Sequence, residues 1–298
     1  MLLKSITIAG ADTLGSEISW YIAFNGYRVK LYDTSDIGLE IGKALHEKFA
    51  ASFLEKFTSN REQVDTTLKN IHYTSDLEEA CQECDLFIES IPEKMEAKIE
   101  FYKAISQFIS PTTIVASNSD SFIPSDLAPH FKHPLQLVGA HFTNVIWENR
   151  LVEIMGHPDT DILVIESLIH FIKNLNILPI VLQKENSGYL LNSLLIPMLS
   201  TALTMLRKGI ASFEDIDKSW MAIGNKYGPF IIIDAVGLDT VYNIEKYWGE
   251  KDNDQKRASN AEFLQNEYIK KGKLGMISGE GFYKYPNPLF SRDSFLKI

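Results

Sequence analysis

The chain has 298 residues, enough for two domains or one large one, and its 45% apolar and 23% charged residues are those of an ordinary folded protein. Collagen-like, low-complexity and wholly disordered readings are excluded. Lys and Arg number 29 against 39 Asp and Glu, a formal charge of -10, so unselective attraction to nucleic acid or to an anionic membrane surface is disfavoured and a small-molecule ligand is expected.

In chain order, the run Ile6-Thr7-Ile8-Ala9 predicts a strand. Gly10 then marks a turn, and Leu14, Ile18, Tyr21, Ile22 and Phe24 follow helical spacing before a second strand over 29–32. A charged helix over 36–58, strands over 71–73 and 86–91, a helix over 95–108 and strands over 113–116, 137–141 and 151–154 come next. A helix over 161–175 and a strand over 178–182 complete this part. Such alternation predicts a doubly wound, mostly parallel sheet of Rossmann type, an α/β fold. Residues 183–188 are polar and turn-forming, and beyond them Leu190, Leu191, Leu194, Leu195, Met198, Leu199, Ala202, Leu203 and Leu206 keep helical spacing. The boundary is therefore set between a first domain over 1–185 and an all-helical second domain over 186–298, with helices over 213–223, 229–249 and 258–271. The apolar helix over 189–206 presents too many faces for a small bundle, which predicts a homodimer.

The only cysteines, Cys81 and Cys84, form a CxxC pair in an acidic stretch with no second ligand pair, so a structural role is expected and no metal is assigned. With no disulfide framework and no signal-peptide pattern ahead of the first strand, a cytoplasmic location is expected. The uncharged run over 186–206 has the length of a membrane span but carries Asn192, Ser193, Pro197, Ser200, Thr201 and Thr204, which favours a core or interface helix and no membrane association.

Gly10-Ala11-Asp12-Thr13-Leu14-Gly15 lies between a strand and a helix, the place of a dinucleotide fingerprint whose backbone N–H groups hold a pyrophosphate. Asp33 ends the second strand, where a carboxylate can accept from the ribose hydroxyls and repel a 2′-phosphate, so NAD is the expected cofactor. Asp12 stands where the fingerprint has its second glycine, which would crowd the pyrophosphate in bulk and charge; alternatively Asp12 turns outward and caps the helix. His141 ends one apolar run and Glu153 interrupts another. If the strands are neighbours, the carboxylate can orient the imidazole of a general acid/base; a structural ion pair is the equal alternative.

Together these motifs resemble the 3-hydroxyacyl-CoA dehydrogenase family over nearly the whole chain. They are joined by Asp85-Leu86-Phe87-Ile88-Glu89-Ser90-Ile91-Pro92-Glu93 with Lys98, Ala116-Ser117-Asn118-Ser119, His141-Phe142-Thr143-Asn144 and Gly188-Tyr189-Leu190-Leu191-Asn192. Tyr227-Gly228-Pro229-Phe230, Gly237-Leu238-Asp239 and the tail Gly279-Glu280-Gly281-Phe282-Tyr283-Lys284-Tyr285 extend the likeness. Within the family, a bacterial branch that includes a diketoreductase is similar. The resemblance implies NAD-dependent interconversion of a 3-hydroxyacyl and a 3-ketoacyl compound, with fatty acid metabolism as the setting. It implies His141 as proton carrier, Glu153 as its partner, Asn192 as a substrate-carbonyl contact, and Glu93, Lys98, Asn118 and Asn144 as cofactor contacts.

Three positions depart from the family pattern: Asp12 for glycine, Asp120 where the family has a substrate-binding serine, and Ile277 where many members have lysine. Asp120 is expected in the catalytic site, biasing it toward reduction; if it turns away, Ser119 or Ser121 supplies the hydroxyl. The departures motivate a second reading, a catalytically impaired relative that binds a nucleotide or acyl ligand. A carnitine or sugar-acid dehydrogenase of the same architecture is a third.

Overall fold

A computed structural model describes residues 3–57 and 59–297; Met1, Leu2, Ile298 and Thr58, at which the predicted second helix ends, lie outside the described residues. The chain divides into two compact units, Met1–Leu190 and Leu191–Ile298.

The first unit runs β1 (Ser5–Ala9), α1 (Thr13–Phe24), β2 (Arg28–Tyr32), α2 (Asp36–Lys56), α3 (Arg61–Lys69), β3 (Ile71–Thr74), α4 (Leu77–Cys81), β4 (Leu86–Glu89), α5 (Met95–Ile105) and β5 (Ile114–Ser117). It continues with α6 (Pro124–Leu127), β6 (Leu137–Phe142), α7 (Ile146–Asn149), β7 (Leu151–Gly156), α8 (Ile162–Asn174) and β8 (Leu178–Val181). Among the described residues the strands form one eight-stranded sheet in the order β3-β2-β1-β4-β5-β6-β7-β8. Neighbours are parallel except β6 and β7. The doubly wound expectation holds, and the strand order reverses between β1 and β4, the place at which open α/β sheets bind ligands beyond the carboxyl ends of their strands.

Burial on both faces explains why the central strands read as unbroken apolar runs rather than alternating ones. Leu86 and Ile88 of β4 join Ile6, Ile8, Ile18, Phe53, Leu168 and Phe171 on one face. Phe87 between them joins Val115, Leu137, Phe101, Tyr102 and Ile105 on the other. Cys81 and Cys84 pack into this second core as free thiols, pushed up by burial to about 12 and about 11.

The second unit contains α9 (Leu191–Arg207), α10 (Phe213–Met221), α11 (Pro229–Val236), α12 (Leu238–Lys251) and α13 (Gln255–Glu267) around Leu199, Leu203, Phe230, Ile233, Leu238, Leu264, Phe282 and Tyr283. The predicted helix over 229–249 is two helices. Gly237 separates them at φ +97, a left-handed conformation that ends α11 and that glycine adopts without a Cβ penalty. No helix of the described residues is long and apolar enough to cross a membrane.

Candidate active site

At the switch point, Gly10 has φ +105, and a Cβ there would lie 2.2 Å from the Ser90 carbonyl oxygen beyond β4, so only glycine lets the two strand ends meet. The chain then enters α1. Asp12 is the helix N-cap, its Oδ1 accepting the Gly15 N–H at 3.0 Å. Of the two alternatives for Asp12, the structure shows the capping one, with a carboxylate at the start of the helix all the same. Thr13 and Leu14 belong to the first turn, whose N–H groups no intrahelical carbonyl reaches. Asp33, just past β2, accepts the Ala11 N–H on Oδ2 at 3.0 Å and the Ser35 N–H on Oδ1 at 3.1 Å, which ties the glycine turn to the end of β2. The close approach at Gly10, the open first turn and the placement of Asp33 fit an NAD pyrophosphate and ribose; the Asp12 charge works against the pyrophosphate.

Beside this turn, β4 ends on the fully buried Glu89. Its Oε1 accepts from Lys98 Nζ at 2.6 Å and its Oε2 from the hydroxyls of Ser117 at 2.7 Å and Tyr102 at 3.1 Å. Lys98 also reaches Glu93 Oε2 at 3.1 Å. Burial opposes the Lys98 charge, but Glu89 and Glu93 hold the ammonium above its ordinary range. Burial likewise opposes ionisation of Glu93, yet Lys98 and two serine hydroxyls hold it below the usual carboxylate range. Lys98 is thus a buried counter-ion that fixes Glu93. Ser119 and Ser121 both donate their hydroxyls to Glu93.

His141 in β6 and Glu153 in β7 are direct partners in the antiparallel register, which places both side chains on one face. Nδ1 of His141 lies 3.0 Å from Glu153 Oε2, and the Leu190 N–H donates to Oε1 at 2.9 Å. Glu153 is 1% exposed and His141 9%. A carboxylate only accepts, so Nδ1 carries the proton and Nε2 is the nitrogen free to exchange one with a ligand.

Asp120 follows β5 and keeps solvent access. Desolvation first and Glu93 second push its carboxyl above the ordinary range, while His141 draws it back. Asn118 is turned inward, its Oδ1 accepting the Phe142 N–H at 2.8 Å and so bracing β6 next to His141. Asn144 is exposed two residues beyond the end of β6.

The first unit therefore gathers His141, Glu153, Asp120, Asn118, Glu93 and Lys98 near the ends of β4, β5 and β6. Asn192 stands in the first turn of α9, and Ile277, 88% exposed, in a short turn after α13; both belong to the second unit. Sequence reasoning gave no role to Glu89 or Glu17. Glu17, buried on α1, accepts the Val145 N–H at 2.6 Å and so anchors the segment just after Asn144; burial raises its carboxyl against that bond. For Glu89 the signal was the one used for Glu153, a carboxylate inside an apolar run, whereas Glu17 follows Gly15 and Ser16 and carries no such signal.

Comparison with known proteins matches residues 5–186 to the family domain described as 3-hydroxyacyl-CoA dehydrogenase, NAD binding domain. Residues 188–285 match its C-terminal domain. Hydroxyacyl-coenzyme A dehydrogenase, mitochondrial, from Sus scrofa is 34% identical over 292 residues, covering 96% of this chain and 92% of its own. A probable 3-hydroxybutyryl-CoA dehydrogenase of Bacillus subtilis (strain 168) is 31% identical, covering 96% and 98%. Among solved structures, a diketoreductase described in terms of dual catalysis of dicarbonyl compounds superposes with a TM-score of 0.90 at 37% identity, covering 96% of this chain and all of its own. An (S)-3-hydroxybutyryl-CoA dehydrogenase from Ralstonia eutropha gives 0.83 at 26%, with the same coverage.

Proposed function

The chain belongs to the 3-hydroxyacyl-CoA dehydrogenase family, NAD-dependent oxidoreductases that interconvert 3-hydroxyacyl and 3-ketoacyl compounds, and from that premise we propose that its proton transfer runs through His141. The observation that carries the proposal is the His141–Glu153 pair across β6 and β7, which leaves Nε2 available. A cofactor held at the glycine turn would supply the chemistry of hydride transfer, as NADH to the ketone on reduction and as NAD+ from the alcohol on oxidation. His141 gives its proton to the carbonyl oxygen, or takes one from the hydroxyl, while Glu153 holds Nδ1–H and stabilises the imidazolium. Gly10, Thr13, Leu14, Gly15 and Asp33 hold the cofactor in this reading, with Glu93, fixed by Lys98, and Asn144 as further contacts. Asn192 is kept as the amide that meets the substrate carbonyl.

For the substrate we favour a 3-keto acyl ester or thioester, since the relatives named above include both a diketoreductase and acyl-CoA enzymes. NADH oxidation against acetoacetyl-CoA, a diketo ester and 3-dehydrocarnitine in parallel selects among the alternatives. His141→Gln is expected to lose about 100-fold or more in turnover with NADH binding intact. Turnover comparable to the parent chain would remove His141 from the chemistry. The Asp12 carboxylate at the pyrophosphate turn favours a second reading, an impaired ligand-binding relative, for which NADH binds and no ketone is turned over. The same proposal includes residues 1–185 as the cofactor domain, 186–298 as the substrate and dimerisation domain, a cytoplasmic location and fatty acid metabolism. Leu194, 75% exposed on α9, is an apolar side chain that a second copy could cover, and sedimentation equilibrium measures whether it does.

A further inference from the structure

One hydrogen bond does not fix an imidazole. Glu153 holds His141 at Nδ1, but the ring can still tilt about that contact and carry Nε2 away from a reacting oxygen, and a misplacement on the order of 1 Å can cost about 100-fold in rate. The side chain that meets the ring itself is Tyr189, whose ring centroid lies 5.1 Å from that of His141 at an interplanar angle of 34°. Tyr189 is 1% exposed, among the largest fully buried side chains of the protein.

Its backbone is unusual for so bulky a residue. Tyr189 has φ +50, in the left-handed region, directly after Gly188 at φ +82. Bulky side chains persist in that region when their surroundings over-determine them. Here the surroundings do so. The Tyr189 N–H donates to Asn186 O at 3.0 Å, and Asn186 Nδ2 donates to Tyr189 O at 2.8 Å. The Gly188 N–H donates to Asp120 O at 2.8 Å, the Ser187 hydroxyl to Ser121 O at 2.7 Å, and the Leu190 N–H to Glu153 Oε1. The turn over 186–190 thus delivers the aromatic ring to His141 and an N–H to Glu153 at once, and Ser187 and Gly188 pin it to the loop at Asp120 and Ser121.

The far end of the tyrosine has a berth of its own. A Cβ at Gly139 would lie 2.2 Å from the Tyr189 hydroxyl oxygen, whereas its next neighbours, Pro124 Cγ and Met155 O, would be 3.2 and 3.3 Å away. Residues 139 and 141 of β6 point to the same face. Tyr189 lies across both, its ring against one and its hydroxyl over the space the other leaves.

We propose that Tyr189 is a positioning residue for the acid/base step: its ring, seated over Gly139 and held by the turn over 186–190, fixes the plane of the His141 imidazole so that Nε2 is presented in one orientation. The inference deepens, and rests on, the reading of His141 as the proton carrier. The phenol is raised well beyond its ordinary range by burial and by Glu153, Asp120, Glu93 and Glu89, so it stays neutral and serves as a wall, not a proton donor.

The test is a suppressor experiment. Tyr189→Leu, which removes the flat ring, is expected to lower kcat on the order of 10- to 100-fold with KM and the NADH dissociation constant within about 2-fold. Gly139→Ala should lower kcat in the same way by pushing the ring off its seat, and adding Tyr189→Phe, which keeps the ring and removes the colliding oxygen, should restore it. Nitrogen–proton correlation spectra of the His141 ring, recorded without substrate, should show a single Nδ1–H form in the parent chain and in the rescued double variant. They should show a mixture in Gly139→Ala. Unchanged kcat and ring signals in a folded Tyr189→Leu, or a Gly139→Ala defect that Tyr189→Phe does not relieve, overturns the proposal. Where Tyr189→Leu does not fold, the Gly139 pair decides. Failure of the underlying reading is separate: it is active His141→Gln, whatever the ring spectra show.

Discussion

At Asp12, two energies act on one carboxylate. As N-cap it satisfies the Gly15 N–H, and losing such a cap to alanine costs about 1 kcal/mol. As a charge near a phosphate it is repulsive by a few kcal/mol before salt and relaxation reduce that figure. Asp12→Asn separates them, because the amide oxygen still caps while the charge is gone. It should tighten NADH binding on the order of 10-fold with thermal stability nearly unchanged, as titration and calorimetry on the same sample would show. Asp120 poses the converse case, a negative charge where the family's pattern has a hydroxyl. His141 draws the Asp120 carboxyl back toward its ordinary range, and in the proposed reading that attraction favours reduction over oxidation. Asp120→Ser should speed oxidation of the hydroxy substrate relative to reduction of the keto substrate; unchanged rates in both directions place Asp120 outside the chemistry. The pairing of His141 with Glu153 was legible because a carboxylate in an apolar strand demands a partner and the two runs were recognisable strands. The contact of Tyr189 with His141 was not, since it depends on two consecutive left-handed residues and on a glycine some fifty positions away, and no local pattern announces either.

Among elements, the strands were read within a residue or two: both-face burial makes the central ones nearly apolar throughout, while β2 and β3 toward the edge mix exposed and buried residues. The missed α3 is polar except for Val64 and Leu68 along one side, and the break at Gly237 sits in a stretch whose apolar spacing continues unbroken through it. What joins β4, β5 and α5 at the site is the buried charge of Lys98 between Glu89 and Glu93. Removing one member of such a pair strands the other without water, at about 3–5 kcal/mol. Lys98→Met should therefore lower the denaturation midpoint sharply. Lys98→Met with Glu89→Gln should recover a large part, because the amide can still accept from Ser117 or Tyr102 without a stranded charge. If the double variant is no more stable than the single one in urea, the destabilisation comes from lost packing of the lysine stem and not from the orphaned carboxylate. Glu17 links elements differently: one carboxylate on α1 takes the N–H of Val145, so the helix that opens at the cofactor turn also anchors the chain leaving β6.

Over the whole molecule, the two units carry buried titrating groups of opposite sense. In the first, His46 is fully buried between Ser19, the Ser16 carbonyl and the Tyr73 hydroxyl, and burial lowers it to about 4. Between that value and the ordinary 6.5 the unfolded chain binds a proton that the folded chain refuses, so this contribution to stability is lost as pH falls through the window, by on the order of 3 kcal/mol. In the second unit, Asp217 accepts the Phe230 and Ile231 N–H groups and the Tyr283 hydroxyl, yet burial raises it to about 6. Between its ordinary 3.8 and that value the folded chain keeps a proton that the unfolded chain has released, so stability is regained as pH falls, again by on the order of 3 kcal/mol. Asp234 and Glu245, raised by burial, add to this in the second unit, while Glu17 offsets part of the His46 effect in the first. Amide hydrogen exchange, corrected for intrinsic rates, should therefore show protection falling in Ile6–Ile8 and the α1–α2 core, relative to the α10–α11 core, when pH is lowered from 7 to 4.5. His46→Gln should flatten the first response and Asp217→Asn the second, each without altering the other. Parallel loss of protection in both cores, unaltered by either substitution, would show that these two groups do not set the acid response.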